Sequence, residues 1–136
     1  MANKKTLVAL DVGEKRIGVA VADTSVKIAI AYETILVDGS EIQAIARIVV
    51  DERADTIVVG YPRNQSGEAT AQTAYVEEFA KQLDDIAPNI VFQDESLTSV
   101  IAEQQLISHR QPYTKGDIDA RAAAIILQDY LESHHA

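Results

Sequence analysis

The stretch TLVALDVGEKRIGVAVAD, residues 6–23, decides how the rest of the chain is read. It contains two apolar runs, 6–12 and 16–23, on either side of the turn GEKR. Such a pattern predicts two strands around a tight turn. In the first strand Leu7, Ala9 and Asp11 share one face, and Val8, Leu10 and Val12 share the other. Both faces are otherwise apolar, as in a central strand covered on two sides. An ionised carboxylate there is costly unless hydrogen bonds, cations or a metal compensate it. Asp11 is therefore the first candidate functional residue.

Outward from this hairpin, residues 27–37, KIAIAYETILV, predict a third, less regular strand, and three strands in a row fit a meander. Ile42, Ile45, Ala46 and Val49 keep helical spacing within 40–53. DTIVVG (55–60) is a short apolar strand ended by Gly60 and Pro62, and RNQSGEAT (63–70) a polar loop. Val76, Phe79, Ala80 and Leu83 form one stripe of a helix over 70–86, which Pro88 would end. NIVFQ (89–93) predicts another buried strand, with Phe92 in the core. A helix over 98–108, capped by Thr98 or Ser99, precedes the loop SHRQPYTKG (108–116) and a last alanine-rich helix over 117–132. The order β-β-β-α-β-α-β-α-α predicts an α/β domain spanning 1–136, a mixed sheet with helices on both faces.

Composition narrows the function classes. The chain has 136 residues, 47% of them hydrophobic, enough for a real core. There is no cysteine, so disulfide scaffolds and thiolate metal sites are excluded, and a cytoplasmic location fits. No apolar run is long enough to span a membrane, and the N-terminus lacks a signal-peptide pattern. The net charge of −9 argues against a nucleic-acid partner only if no cations are bound. A nuclease that works with divalent ions needs its own carboxylates, and the ions reverse the local sign.

Three acidic positions do not read as solvated surface. Asp11 lies within a strand. The pair Asp94 and Glu95 follows the strand NIVF, and strand carboxyl ends are where open α/β sheets bind ligands. Asp119 has Ala122, Ala123 and Ile126 at i+3, i+4 and i+7, so it points along an apolar stripe. Each alone has a bland reading: Asp119 as a first-turn charge favoured by the helix dipole, Glu95 as an ordinary loop acid. Together they suggest one carboxylate cluster suited to hard cations such as Mg²⁺ or Mn²⁺.

LDVGEKRIGVAVAD, IVVGYPRNQSG, DESLTS and KGDIDARAAAIILQDYL together resemble the four blocks of the YqgF family, also called RuvX-like. The resemblance covers roughly residues 5 to 132. It implies an RNase H-like fold, a five-stranded mixed sheet whose first three strands are antiparallel. It also implies a divalent-metal nuclease, with Asp11, Glu95 and Asp119 as catalytic acids and as ligands of two Mg²⁺ or Mn²⁺ ions. Family names point to maturation of pre-16S rRNA and to Holliday junction resolution. Where the family has Arg after the acidic pair, this chain has Ser96. Arg63, Lys115 and Arg121 are the cations that could substitute.

The remaining site candidates surround these blocks. Gly13 and Gly18 are backbone devices, and the turn VGEKR could bring main-chain N–H groups with Lys15 or Arg16 to a phosphate. Gly60, Pro62, Asn64 and Gly67 shape the second loop, in which Arg63 and Asn64 could meet the substrate. Asp23 reads as a turn cap. Tyr113 could stack on a base, or be a plain loop tyrosine. His109 could touch a substrate, while His134 and His135 sit in the C-terminal tail. The leading reading is a cytoplasmic pre-16S rRNA nuclease, monomeric or weakly dimeric. The first alternative is a junction resolvase, which must be a symmetric dimer. A nucleotide-binding protein of the actin and sugar-kinase type would need a second domain. The last alternative is a non-catalytic binding module.

Overall fold

The structure, a computed structural model, describes residues 5–62, 68–95, 98–108 and 113–134. Arg63, Asn64, Gly67, Ser96, His109 and His135 lie outside the described residues. The elements follow in the order β1 (Thr6–Val12), β2 (Arg16–Asp23), β3 (Ile30–Leu36), α1 (Glu41–Glu52), β4 (Ala54–Pro62), α2 (Ala71–Lys81), β5 (Asn89–Glu95), α3 (Thr98–Ser108) and α4 (Lys115–His134). The five strands form one mixed sheet in the order β3-β2-β1-β4-β5. β1, β2 and β3 are antiparallel neighbours, while β4 and β5 run parallel to β1. The expected α/β architecture is therefore present.

Alternation along β1 divides the core into two halves. Val8, Leu10 and Val12 pack with Ile45, Ile48 and Val49 of α1 and Val76 and Phe79 of α2. Leu7 and Ala9, on the opposite face, pack with Ala123, Ala124, Ile126, Leu127 and Leu131 of α4. The small side chains Ala9, Ala20 and Ala123 let this helix lie close to the sheet. Asp11 shares the α4 face, as its place in the alternation requires.

Several boundaries differ from expectation. β3 starts at Ile30 rather than residue 27. Asp23 Oδ1 accepts hydrogen bonds from the Ser25 and Val26 amides, and Lys27 has a φ of 63°, so a turn occupies this stretch. α2 stops at Lys81, ahead of Pro88, because the Gln82, Leu83 and Ile86 amides donate to carbonyls three residues back. Leu83 remains fully buried all the same.

The strand β5 is an edge strand, and this overturns the reading of 89–93 as buried. Phe92 is 45% exposed and packs edge-on against Tyr61, with ring centroids 5.1 Å apart. α4 begins at Lys115, two residues ahead of the expected start. Thr114 accepts from the Asp117 amide at 3.1 Å, and Asp117 accepts from the Thr114 amide at 2.8 Å, a reciprocal cap that starts the helix early. The first-turn acid is thus Asp117, and Asp119 lies two residues further in, in the second turn, beyond the reach of the dipole argument.

Candidate active site

At one end of the sheet, β1, β4 and β5 finish side by side and β2 begins. Asp11 is the next-to-last residue of β1 and pairs with Gly18 of β2. Glu95, the last residue of β5, pairs with Pro62. Asp119 comes to the same place from α4, because Gly18 leaves no room between its backbone and that of Asp119. A Cβ on Gly18 would overlap the Asp119 carbonyl oxygen. Gly18 is thus a contact surface for a helix, a role the hairpin reading of its motif did not reveal.

The three acids interact. Asp11 is half-buried and hydrogen-bonded to the Glu95 side chain. Burial, together with repulsion from Asp119, pushes its carboxyl up to about 6, against the pull of the Glu95 hydrogen bond. Asp119 Oδ2 accepts a bond from Arg16 Nε at 2.6 Å. Gly60 makes space for Glu95: a Cβ there would stand 2.8 Å from Glu95 Oε2 and 2.7 Å from Ile126 Cδ1. Sequence reading placed Gly60 at a strand end, yet it lies within β4 and faces the site. Its glycine, in an otherwise apolar strand, was the available signal for a close approach.

The other predicted residues divide. Lys15 and Arg16 line a cleft of about 430 Å³ with Gly13, Glu14, Gln72 and Asp119, directly beside the acids. Gln72 Nε2 donates to the Val12 carbonyl and ties α2 to the end of β1. Arg121 lies in a different cleft of about 520 Å³, with Thr34, Leu106 and Thr114 among its walls. Its Nε is buried without a hydrogen-bond partner among the described residues. Lys115 is exposed at the start of α4. Tyr113 donates to Glu103 of α3 at 3.2 Å, which gives it a tethering contact.

In kind, the three acids fit a hard divalent cation: they offer only carboxylate oxygens, and Asp11 carries charge that its surroundings resist. Among the described residues no three His, Cys, Asp or Glu side chains are gathered so that they could hold an ion.

Residues 5–133 match the family described as RuvX, Holliday junction resolvase. The chain belongs to the RuvX family. A Chloroflexus aggregans relative named "Putative pre-16S rRNA nuclease" is 42% identical over 137 residues, covering 96% of each chain. A Synechocystis relative of the same name is 37% identical over 97% of this chain and 90% of its own. Among solved structures, Thermus thermophilus RuvC in complex with a Holliday junction has a TM-score of 0.57 at 12% identity, covering 96% of this chain and 98% of its own. The fowlpox virus resolvase with junction DNA has a TM-score of 0.59 at 18% identity, covering 94% and 97%. These structural likenesses establish the RNase H-like fold of the RuvX chain. The near-full-length relatives extend the family match along both the sheet and α4.

Proposed function

We propose that this RuvX-family protein is a cytoplasmic, divalent-cation-dependent nuclease that hydrolyses phosphodiester bonds of pre-16S rRNA. Residues 1–136 act in this as a single RNase H-like unit. One observation carries the reading: Asp11, Glu95 and Asp119 converge from β1, β5 and α4, and Asp11 is held where it resists its own charge. A structural acid has no reason to accept that cost, whereas a cation ligand does.

Asp11, in the middle of the sheet, would hold two Mg²⁺ or Mn²⁺ ions, and Glu95 and Asp119 would hold one each. Bound divalent ions supply an activated water and neutralise charge on the phosphate. The chain's own residues do the rest. Gly60 leaves room for the Glu95 carboxylate, which a methyl group there would displace. Gln72 fixes the end of β1 through the Val12 carbonyl, which keeps Asp11 in place. Lys15 and Arg16 present positive charge along the neighbouring cleft, where a substrate phosphate can approach. Arg63, Asn64, Lys115 and Arg121 complete the proposed substrate contacts. The Nε of Arg121 is buried with no acceptor among the described residues.

A second reading has an observation of its own. Val26, Ile28, Ile30 and Leu36, at or near the β3 edge, are 59%, 59%, 61% and 66% exposed. Such a surface suits a second copy of the chain, and a junction resolvase needs two active sites related by a two-fold axis.

The deciding experiment is cleavage of a 5′-extended 16S rRNA precursor, with Mg²⁺ or Mn²⁺ and with EDTA, by wild type and Asp11→Asn. A four-way DNA junction is run in parallel. Cation-dependent cutting of the RNA, abolished by Asp11→Asn, is expected. Cutting of the junction alone would establish the resolvase reading. Failure on both, with wild type and variant alike, would remove catalysis from the cluster.

A further inference from the structure

The bond between Arg16 and Asp119 raises a question that the nuclease reading leaves open. Three carboxylates meet at the end of the sheet, yet among the described residues no trio is arranged to hold an ion. The Asp119 carboxylate is instead engaged by a guanidinium at 2.6 Å. We propose that Arg16 gates the cation site. It holds the Asp119 carboxylate, releases it when a divalent cation binds, and then turns to the substrate phosphate. The proposal rests on the nuclease reading and adds an order of events to it.

The backbone limits what can move. Gly18 is packed against the Asp119 carbonyl so tightly that a methyl group would not fit, so the start of α4 cannot slide along β2. The Arg16 main chain is equally fixed, since its carbonyl accepts from the Gly13 amide at 3.0 Å and it pairs with Leu36. Rearrangement is therefore confined to two side chains, one short and one long. Asp119 needs only a rotation about its side-chain torsions to leave Arg16 and face Asp11.

Charge decides which arrangement is preferred. Without a cation, bringing Asp119 closer to Asp11 and Glu95 would crowd three carboxylates, and Asp119 already repels Asp11 at its present distance. Arg16 relieves this by neutralising Asp119. A divalent cation offers the same relief with two charges, and so competes directly with Arg16. Arg16 lines the cleft of about 430 Å³ together with Gly13, Lys15 and Gln72, and a displaced guanidinium would turn into that space. Arginine has five donors in a fixed fork that matches a phosphate, and a freed Arg16 would be ready for one. Cation and nucleic acid should therefore bind with positive coupling, each removing Arg16 from Asp119.

The test is calorimetric titration of the full chain with Mn²⁺, without nucleic acid, for wild type, Arg16→Gln and Arg16→Lys. Thermal unfolding in EDTA serves as the folding control. Arg16→Gln should bind Mn²⁺ about threefold to fivefold more tightly, the span expected when a partly exposed ion pair no longer competes. Arg16→Lys should fall between, and remains informative if the glutamine variant does not fold. The Mn²⁺-induced rise in Tm should also be larger in Arg16→Gln. With Mn²⁺ present, a fluorescent non-cleavable single-stranded RNA should bind Arg16→Gln more weakly than wild type. Folded variants that bind Mn²⁺ as well as wild type, or less well, would overturn the gate and leave the nuclease reading intact. If wild type itself binds no Mn²⁺ at millimolar concentration, both readings fall together.

Discussion

Asp11 is the residue at which burial and charge oppose each other. Its carboxyl is raised to about 6 in the folded chain, from an unfolded value near 3.8. The native state therefore binds this proton more tightly than the unfolded state does. Its contribution to stability is fully present below about pH 4 and is lost as pH rises through 6. Asp11→Asn removes the charge while keeping the shape. In EDTA at pH 7.5 the variant should be more stable than wild type by roughly 2 kcal/mol, and the difference should vanish near pH 4. Urea melts at the two pH values check this; a less stable Asn variant would show that Asp11 bears its charge easily. Cleavage should be lost in the same variant. In wild type it should fall below about pH 6, and added Mn²⁺ should move that limb to lower pH. Much of this site was legible from single residues, because an acid in an apolar strand, at a strand end or on an apolar helix stripe violates a local pattern. Gly60 was not legible in the same way. Its role depends on Ile126 and Glu95, neither of which is near it in sequence.

Elements bring these residues together through two glycines, with different consequences. Gly18→Ala places a methyl group on the Asp119 carbonyl, which is helix backbone and cannot turn aside. α4 would have to lift from β2, straining the bond that the Ala29 amide, just ahead of β3, donates to Gln128 Oε1 at 2.9 Å. The expected loss is about 3 kcal/mol or more, read as a lower urea midpoint. Gly60→Ala meets only the ends of two side chains, Ile126 Cδ1 at 2.7 Å and Glu95 Oε2 at 2.8 Å. Its stability loss should be smaller, about 1 kcal/mol. Displacing Glu95, the proposed cation ligand, should nonetheless lower cleavage by about tenfold or more, on the order of other misplaced catalytic groups. A variant with normal turnover would remove Glu95 from the site. The order and type of elements were readable from periodicity, whereas their ends were set by side-chain caps. Thr114 with Asp117 started α4 early, and Asp23 with Ser25 and Val26 delayed β3. The place of β5 at the sheet edge was not readable either, since an apolar run such as NIVF looks the same in a central strand.

For the whole molecule the decisive quantity is the distribution of charge. The chain carries 21 acidic residues against 12 basic ones, so its average field repels a polyanion. Lys15 stands in the cleft beside Asp119, whereas Lys81, at the C-terminal end of α2, is paired with Glu78 at 2.8 Å. RNA binding should accordingly be weak in EDTA and rise when divalent cations fill the carboxylate cluster. Its salt dependence should be shallow, because few phosphates meet a basic side chain. The measurement is fluorescence anisotropy of a non-cleavable 2′-O-methyl RNA across a KCl series at fixed Mg²⁺. Lys15→Ala should reduce the slope of log K against log[salt] by about 0.7, the value for one single-strand phosphate contact. Lys81→Ala should leave that slope unchanged, since its charge is already matched within α2. Equal effects of the two substitutions would mean that RNA responds only to total charge. The cleft beside Asp119 would then have no claim to be where the strand lies.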